Sequence, residues 1–431
     1  MTDAPAPAPG APLAAGLAEA LERVFPAPPA ALGVAVSGGG DSVALLVLMR
    51  DWAAARGVRL AAATVDHGLR EAAAAEAAAV AGLCARLGLA HATLRWDRAG
   101  AHADCGNLMQ AARRARQRLL GAWAAEAGLA AVALGHTRED QAETVLMRLA
   151  RGAGVDGLSA MAPARRLGGT LWLRPLLSVP RAALRAELRA RGLGWAEDPA
   201  NADDRFLRAR TRKALAALAP LGIDAAGLAA VAGRMASARR VLAEAAREAA
   251  ARLVRLEGGD LLIEAAGWAA LAAETQARLT GGCLAWLGAA EHPPRRAALE
   301  RLMARAAAGQ GGTLHGVRLT HASGRLRLSR ELRAVRGLEA APGALWDGRW
   351  RLIAPAGAAT AGLRIAVLGP EGLAACPDWR ATGLPRASLM ASPAVWAGPT
   401  LVAAPLAGLT EGWRAETVPA ATDFPSLFIV H

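Results

Sequence analysis

The chain predicts an α/β fold: a parallel sheet flanked by helices in its N-terminal part, then a mostly helical domain, then a small β-rich or mixed C-terminal domain. Three observations lead there. From about residue 31 to 150, short apolar runs alternate with longer Ala/Leu/Arg stretches, the strand–helix rhythm of a parallel sheet. Helical periodicity dominates 221–335, and beyond about residue 337 it fades while Gly and Pro become frequent. The 431 residues, 54% of them hydrophobic, are enough for about two or three domains with sizeable cores. Aromatics are only 4%, so Leu, Val and Ala must build those cores, a composition that favours helices.

In order along the chain, residues 1–30 are expected to be a flexible leader, and the Pro/Ala stretch 1–16 lacks the basic start and Leu-rich core of a secretory signal. Strands are predicted over 32–36, 60–65, 92–96 and 131–134, with helices starting near Ser42, Glu71, Leu108 and Asp140. Each strand runs into a polar loop, at 37–41, 66–70, 97–106 and 135–139. Ligands of an open parallel sheet sit outside the carboxyl ends of its strands, so these loops should converge on one site. A Gly-containing stretch, 151–157, and a less regular region with Pro163, Gly168, Gly169 and Pro175 follow. Then come a helix over 181–191 ended by Gly192, a polar loop over 196–201, and a boundary near Pro220. In the next part a helix passes through 235–253, and a turn at 309–312 leads to strands over 316–328. Residues 387–410 are uncharged and long enough for a bilayer, but Pro393, Pro399 and Pro405 interrupt them, so short strands or loops are expected there and no membrane.

Charge points to a partner. Fifty Lys plus Arg, of which Lys213 is the only lysine, against 37 Asp plus Glu give a net charge of +13. Such an excess calls for a polyanion, nucleic acid first and an anionic membrane surface second. Cys84, Cys105, Cys283 and Cys376 lie far apart, which offers no zinc, redox or iron–sulfur spacing and fits a reduced cytoplasm. A zinc deaminase is excluded with them, since its His-x-Glu and Cys-x-x-Cys signature is missing.

The strongest local feature runs from Gly33 through Val36 into Ser37-Gly38-Gly39-Gly40-Asp41-Ser42, followed by an apolar helix start. Glycines let backbone N–H groups approach phosphate oxygens, and the helix N-terminus adds donors and a favourable dipole. Ser37 and Ser42 add hydroxyl donors. The Gly-Lys-Ser/Thr ending of the ordinary P-loop and the dinucleotide fingerprint are both absent. Asp41 is an acid placed among phosphates, costly unless a cation is present, and a magnesium ion bridging ATP would offset the repulsion. The Ser-Gly-Gly-x-Asp-Ser form after a strand resembles the pyrophosphate loop of the N-type ATP pyrophosphatases, which cleave ATP between its α and β phosphates.

Further motifs narrow the resemblance. Asp66-His67-Gly68-Leu69-Arg70 ends the second strand, and Gly135-His136-Thr137-Arg138-Glu139-Asp140-Gln141-Ala142-Glu143-Thr144 begins at the fourth. Gly106-Asn107, Ala112-Arg113 with Ala115-Arg116, Arg174-Pro175-Leu176-Leu177, Trp195 to Asn201, and Phe206-Leu207-Arg208 to Arg212 follow in order. Together they closely resemble the tRNA(Ile)-lysidine synthetases over roughly 30–218. The resemblance implies an adenine nucleotide alpha hydrolase-like catalytic domain at 31–220, a helical tRNA-binding domain at 221–335 and a small C-terminal tRNA-recognition domain at 336–431. It implies ATP as cosubstrate, magnesium, free L-lysine, and the isoleucine tRNA with a CAU anticodon. A homodimer is allowed as well. Such enzymes adenylate the wobble cytidine at its C2 oxygen, and the ε-amine of lysine then displaces AMP, giving lysidine.

Under this resemblance Asp41, Asp140 and Arg208 form the catalytic set, with Asp41 and Asp140 as magnesium ligands or Asp140 as a base. Ser37, Gly38, Gly39, Gly40, Asp41, Ser42, Asp66 and His136 bind ATP, while Arg113, Arg116, Glu143 and Arg212 bind substrate. The bare residues also allow plainer roles: a helix cap and polar face for His136, Asp140, Glu143 and Thr144, whose spacings of three and four share one helical face, and a capping acid for Asp66. Glu139 stands where the family often has Asp, and is left outside the metal set. Trp195 is expected in the core. Residues 174–213 carry ten basic and five acidic side chains, a surface fit for a tRNA backbone. Rival readings are a cytidine thiolase, which needs paired cysteines, an amidotransferase synthetase, which needs a glutaminase domain, and a non-catalytic RNA-binding module, which leaves the phosphate loop unexplained. Replacing Asp41 or Ser42 with Ala should abolish ATP–pyrophosphate exchange; normal exchange in either variant would contradict the reading of the loop.

Overall fold

The computed structural model describes residues 11–68, 72–97, 108–197, 205–289 and 294–418. Two compact units divide the chain, the first ending at Arg239 and the second starting at Arg240, rather than at the Pro-containing break near 220. Arg70, Cys105, Gly106, Asn107 and the motif end at 198–201 lie outside the described residues.

The first unit opens with α1 (Ala11–Glu22), then β1 (Ala31–Ala35), α2 (Gly40–Ala54), β2 (Arg59–Asp66), α3 (Ala72–Arg86), β3 (Ala90–Arg95), α4 (Leu108–Glu126), β4 (Val132–Leu134) and α5 (Arg138–Leu149). It continues with α6 (Val155–Leu158), β5 (Ala164–Leu167), β6 (Thr170–Leu173), α7 (Arg181–Ala190), α8 (Leu207–Leu218) and α9 (Ala225–Leu253), whose last turns enter the second unit. One sheet of order β3-β2-β1-β4-β6-β5 results. Every pair is parallel except the β5–β6 hairpin. β1 is buried at every position, because helices cover both faces. Leu32 and Val34 pack with Leu45, Leu46 and Met49 of α2 on one side, while Ala35 packs with Trp123 of α4 on the other. Burial on both faces explains why this strand reads as a continuous apolar run and not as an alternating one.

The sequence order matters for the site. From β1 the chain builds outward through β2 to β3, then returns to β1's free edge with β4. The loops after β1 and β4 therefore lie side by side at the point where the order reverses, the usual ligand crevice of such sheets.

The flexible-leader expectation is corrected for part of its length. Ala11–Glu22 is a helix, and its Leu17 and Leu21 are fully buried in the core beneath α2. The Pro/Ala composition hid the Leu17/Leu21 pair at i, i+4, which is all a short docking helix needs. Two hairpins were also not expected. Gly168-Gly169 joins β5 to β6, and Gly258-Gly259 joins two strands of the second unit, with all four glycines at positive φ. Paired left-handed residues are what a two-residue hairpin turn requires.

In the second unit, β7 (Val254–Glu257), β8 (Asp260–Glu264), α10 (Ala265–Ala269), α11 (Ala273–Gly288), α12 (Arg296–Ala307), β9 (Gly312–Leu314), β10 (Val317–Ala322) and β11 (Arg325–Arg330) form helices against an antiparallel sheet of order β7-β8-β11-β10-β9. Farther on, β12 (Glu339–Ala340), β13 (Leu345–Trp346), β14 (Trp350–Ile353), β15 (Leu363–Val367), β16 (Pro393–Ala397), β17 (Thr400–Ala403) and β18 (Arg414–Thr417) make two small antiparallel sheets. The uncharged stretch 387–410 is a short helix end followed by β16 and β17, and no single helix among the described residues is long and apolar enough to cross a membrane. Arg349 is buried between Trp286 and Trp350, 5.5 Å from each ring, and donates to the Gly259 carbonyl at 2.7 Å. Asp260 accepts from Ser388 at 2.5 Å and Arg327 at 2.9 Å.

Leu21→Ala should destabilise the first unit by about 2–5 kcal/mol, the range for emptying a buried leucine site, as read by thermal or denaturant unfolding. A loss below about 0.5 kcal/mol, the level of ordinary surface changes, would show that α1 is not part of the core.

Candidate active site

The phosphate loop is held from three directions. Gly38 adopts φ +85°, a conformation that only glycine takes without strain. The Ser37 N–H donates to Ser42 Oγ at 3.1 Å, and Ser42 Oγ donates to the Gly39 carbonyl at 2.8 Å. From the far side, Ala196 N–H donates to the Gly38 carbonyl at 2.9 Å. Trp195 stands half-buried against the first core and over Gly40, where an added Cβ would come within 3.3 Å of its ring. Behind the loop, a Cβ on Gly135 would lie 3.0 Å from the Asp41 carbonyl oxygen. Glycine there lets the end of β4 press against the start of α2.

That close approach brings two motifs together. Thr137 is the N-cap of α5 and Asp140 its third residue. Asp140 Oδ2 accepts the Thr137 N–H at 2.9 Å and the Thr137 hydroxyl at 3.0 Å, a capping arrangement. Thr144 spends its hydroxyl on the Asp140 carbonyl at 2.7 Å. The helix-cap reading of Asp140 is thus correct as far as it goes, and the same carboxylate also faces the phosphate loop through a residue that sequence reasoning missed. Arg181, the first residue of α7, places Nε 2.8 Å from Asp41 Oδ2 and Nη2 3.5 Å from Asp140 Oδ2. Its own N–H donates to Glu139 Oε2 at 2.9 Å. A lone arginine opening an amphipathic helix carries no motif; its one signal was its place just after Arg174-Pro175-Leu176-Leu177.

Electrostatics follow from burial. Burial raises the Asp41 carboxyl above its ordinary range, opposed by Arg181 and reinforced by Asp140. For Asp140, burial pushes upward, but the Thr137 N–H, Arg181, His136 and Arg208 prevail and hold it below its ordinary value. Glu143, almost wholly buried, is raised by desolvation against the pull of Arg212, whose Nε lies 2.6 Å from Oε1. Its Oε2 has no hydrogen-bond partner among the described residues, with Arg208 Nε 3.9 Å away. Beside these acids stands a basic cluster. Burial and one another's charge lower Arg113, Arg116 and Arg174, the last to about 10, with Arg165 and Arg208 contributing.

The structure therefore joins Ser37, Gly38, Gly39, Gly40, Asp41, Ser42, His136, Asp140, Glu143, Arg208 and Arg212 around one crevice. Asp66 stands apart: its carboxylate accepts the Gly68 N–H at 2.9 Å, capping the turn after β2, and no contact links it to Asp41 or Asp140 among the described residues. No cluster of three metal-ligating side chains occurs among them either. Magnesium needs fewer, since it commonly takes one or two carboxylates and completes its shell with phosphate and water. Two carboxylates sharing one guanidinium fit that demand. Next to them a cleft of about 290 Å³ is lined by Glu139, Glu143, Arg181, Arg212, Leu215, Ala216, Ala219 and Asp224.

Parallel sheet, phosphate loop and paired acids at the switch point define a PP-loop ATP-using domain, and the model of the PP-loop domain matches residues 13–219. The chain is 49% identical to the tRNA(Ile)-lysidine synthase of Ruegeria pomeroyi over 94% of its own length and 95% of that protein's. It is 44% identical to the tRNA(Ile)-lysidine synthase of a Bradyrhizobium species, over 62% of this chain and 77% of that one. Among solved structures, the U34-tRNA thiolase NcsA from Methanococcus maripaludis aligns at a TM-score of 0.45 and 17% identity, covering 52% of this chain and 77% of that one. The chain belongs to the tRNA(Ile)-lysidine synthase family.

Burial, aided by Arg174, Arg208 and Arg116 and opposed by Asp140, pushes the His136 imidazole from 6.5 down to about 3. The unfolded chain takes up this proton below about 6.5 and the folded chain does not, so folding loses stability as pH falls from there toward 3. Between about pH 6.5 and 5, His136→Asn should lose melting temperature less steeply than the wild type. Parallel slopes would show that His136 titrates normally.

Proposed function

We propose that this protein joins free lysine to C2 of the wobble cytidine of the CAU-anticodon isoleucine tRNA, using ATP and releasing AMP and diphosphate. The observation that carries this reading is the pairing of Asp41 and Asp140 on adjacent strand-end loops around one cationic position, beside a glycine-rich phosphate cradle. Asp41 and Asp140 would hold magnesium, which when bound offsets phosphate charge and polarises the α-phosphate.

In the first step the cytidine C2 oxygen attacks the α-phosphorus, and the bond to diphosphate breaks. The N–H groups of Gly38, Gly39 and Gly40 and the Ser37 hydroxyl receive the developing charge, while Ser42 holds the loop in shape through the Gly39 carbonyl. In the second, lysine Nζ bonds to C2, the C2–O bond breaks, the oxygen leaves on AMP, and the amine gives up a proton. Glu143 suits the role of proton acceptor, because burial raises its carboxyl and so makes it a better base. The adjoining cleft suits lysine: Glu139, Glu143 and Asp224 match its ammonium, and Leu215, Ala216 and Ala219 its methylene stem. Arg208 stands 3.9 Å from Glu143 and within the basic cluster, able to reach phosphate or tRNA.

The tRNA backbone is assigned to Arg113, Arg116, Arg165 and Arg174 and to the wider basic segment 174–213. Rejection of methionine tRNA, which shares the anticodon, is assigned to features outside the anticodon read by 221–335 and 336–431. Incubation with labelled lysine, ATP and tRNA transcripts tests the whole reading. Label should enter the isoleucine transcript alone. Glu143→Gln should lower kcat for lysidine formation by about a hundredfold or more, the loss of a general base, and raise the KM for lysine by about tenfold, the loss of one charged contact. Incorporation into neither transcript, or equally into both, would overturn it.

A further inference from the structure

We infer that Arg181 is a resident counter-cation which exchanges partners when nucleotide arrives: without ATP it neutralises Asp41 and Asp140, and with magnesium–ATP it releases both acids and turns to the polyphosphate. The inference rests on the proposed magnesium role of Asp41 and Asp140.

Two carboxylates repel when they share a partly buried site, and Asp41 and Asp140 lie close enough to meet the same guanidinium. Something positive must stand between them in the nucleotide-free protein. Arg181 supplies it with Nε on Asp41 at 2.8 Å, Nη2 near Asp140 at 3.5 Å and Nη2 on the Thr137 hydroxyl at 3.4 Å. Its anchoring is separate from its charge. The backbone N–H is fixed to Glu139 Oε2, Arg138 N–H donates to the Val179 carbonyl, and Leu184 and Leu188 of α7 are wholly buried in the core. The guanidinium, by contrast, remains about one-fifth exposed. A rigid backbone with a swinging fork is what partner exchange needs. The fork also reaches the phosphate loop at Asp41, so a phosphate oxygen held by that loop has a donor close by, and guanidinium geometry suits phosphate. Arg181 thus offsets the repulsion between the two acids and delays metal binding until ATP brings a replacement anion.

The exchange predicts opposite changes in two affinities, which a merely structural arginine does not produce. Free manganese measured by electron paramagnetic resonance reports divalent-cation binding to the nucleotide-free full-length protein, and calorimetry with a non-hydrolysable α,β-methylene ATP reports nucleotide binding. Arg181→Gln should tighten manganese binding without nucleotide by about tenfold, and weaken the ATP analogue by about tenfold, a change of about 1.4 kcal/mol each way. Asp41→Asn added to Arg181→Gln should remove the gain in manganese affinity. Should Arg181→Gln fail to fold, Arg181→Lys serves: a single ammonium cannot bridge both acids, and a gain of about threefold is expected. Unchanged manganese affinity in the variant that folds, or both affinities moving the same way, overturns the inference. The underlying metal reading fails separately, if manganese bound with the ATP analogue to otherwise wild-type protein is indifferent to Asp41→Asn.

Discussion

The site is governed by one constraint: two carboxylates, Asp41 and Asp140, are brought to the same place, and they cannot remain there without a cation. The sheet imposes the meeting. β1 and β4 are neighbours at the point where strand order reverses, and Gly135 allows their following loops to touch. Everything nearby answers the resulting charge. Thr137 donates twice to Asp140, Arg181 bridges both acids, and Arg212 holds the deeper Glu143. The same crowding separates the acids by chemistry: Asp140 is held ionised, while Glu143 and Asp41 are pushed toward protonation. Environments that drive neighbouring carboxyls apart give them distinct roles.

Beside this acid group lies its complement. Arg113, Arg116 and Arg174 are buried and crowded by one another, by Arg165 and by Arg208 closely enough that all three are lowered, a repulsion that a polyanion would offset. A crevice with acids on one wall and arginines on the other suits a reaction between a lysine ammonium, a metal nucleotide and a tRNA phosphate backbone. Chain-wide basicity, +13 by formal count, is thus concentrated in part beside the acid group.

Much of this was legible in the sequence because local pattern and function coincide there. The four parallel strands and their helices follow from apolar runs broken by polar loops, and the phosphate loop follows from glycines between a strand and a helix. Asp140 was legible as a cap, and the same carboxylate stands at the crevice opposite Arg181. Arg181 was not, since its partner Asp41 lies on another element and nothing in the local pattern of α7 marks its first residue. The two Gly-Gly hairpins were hidden differently: β5 carries Arg165 and Arg166 on an edge, and polar edge strands look like loops until the paired glycines are read as a turn. α1 was concealed by its composition, in which only Leu13, Leu17 and Leu21, spaced by four, distinguish a docking helix from a tail.

The central claim is that the crevice activates the cytidine C2 oxygen by joining it to the α-phosphorus, and isotope transfer tests it most directly. An isoleucine tRNA carrying oxygen-18 at C2 of its wobble cytidine, turned over with unlabelled ATP and lysine, should yield AMP containing one oxygen-18 atom for each lysidine formed. Unlabelled AMP accompanying lysidine formation, or label recovered in diphosphate, would contradict the account.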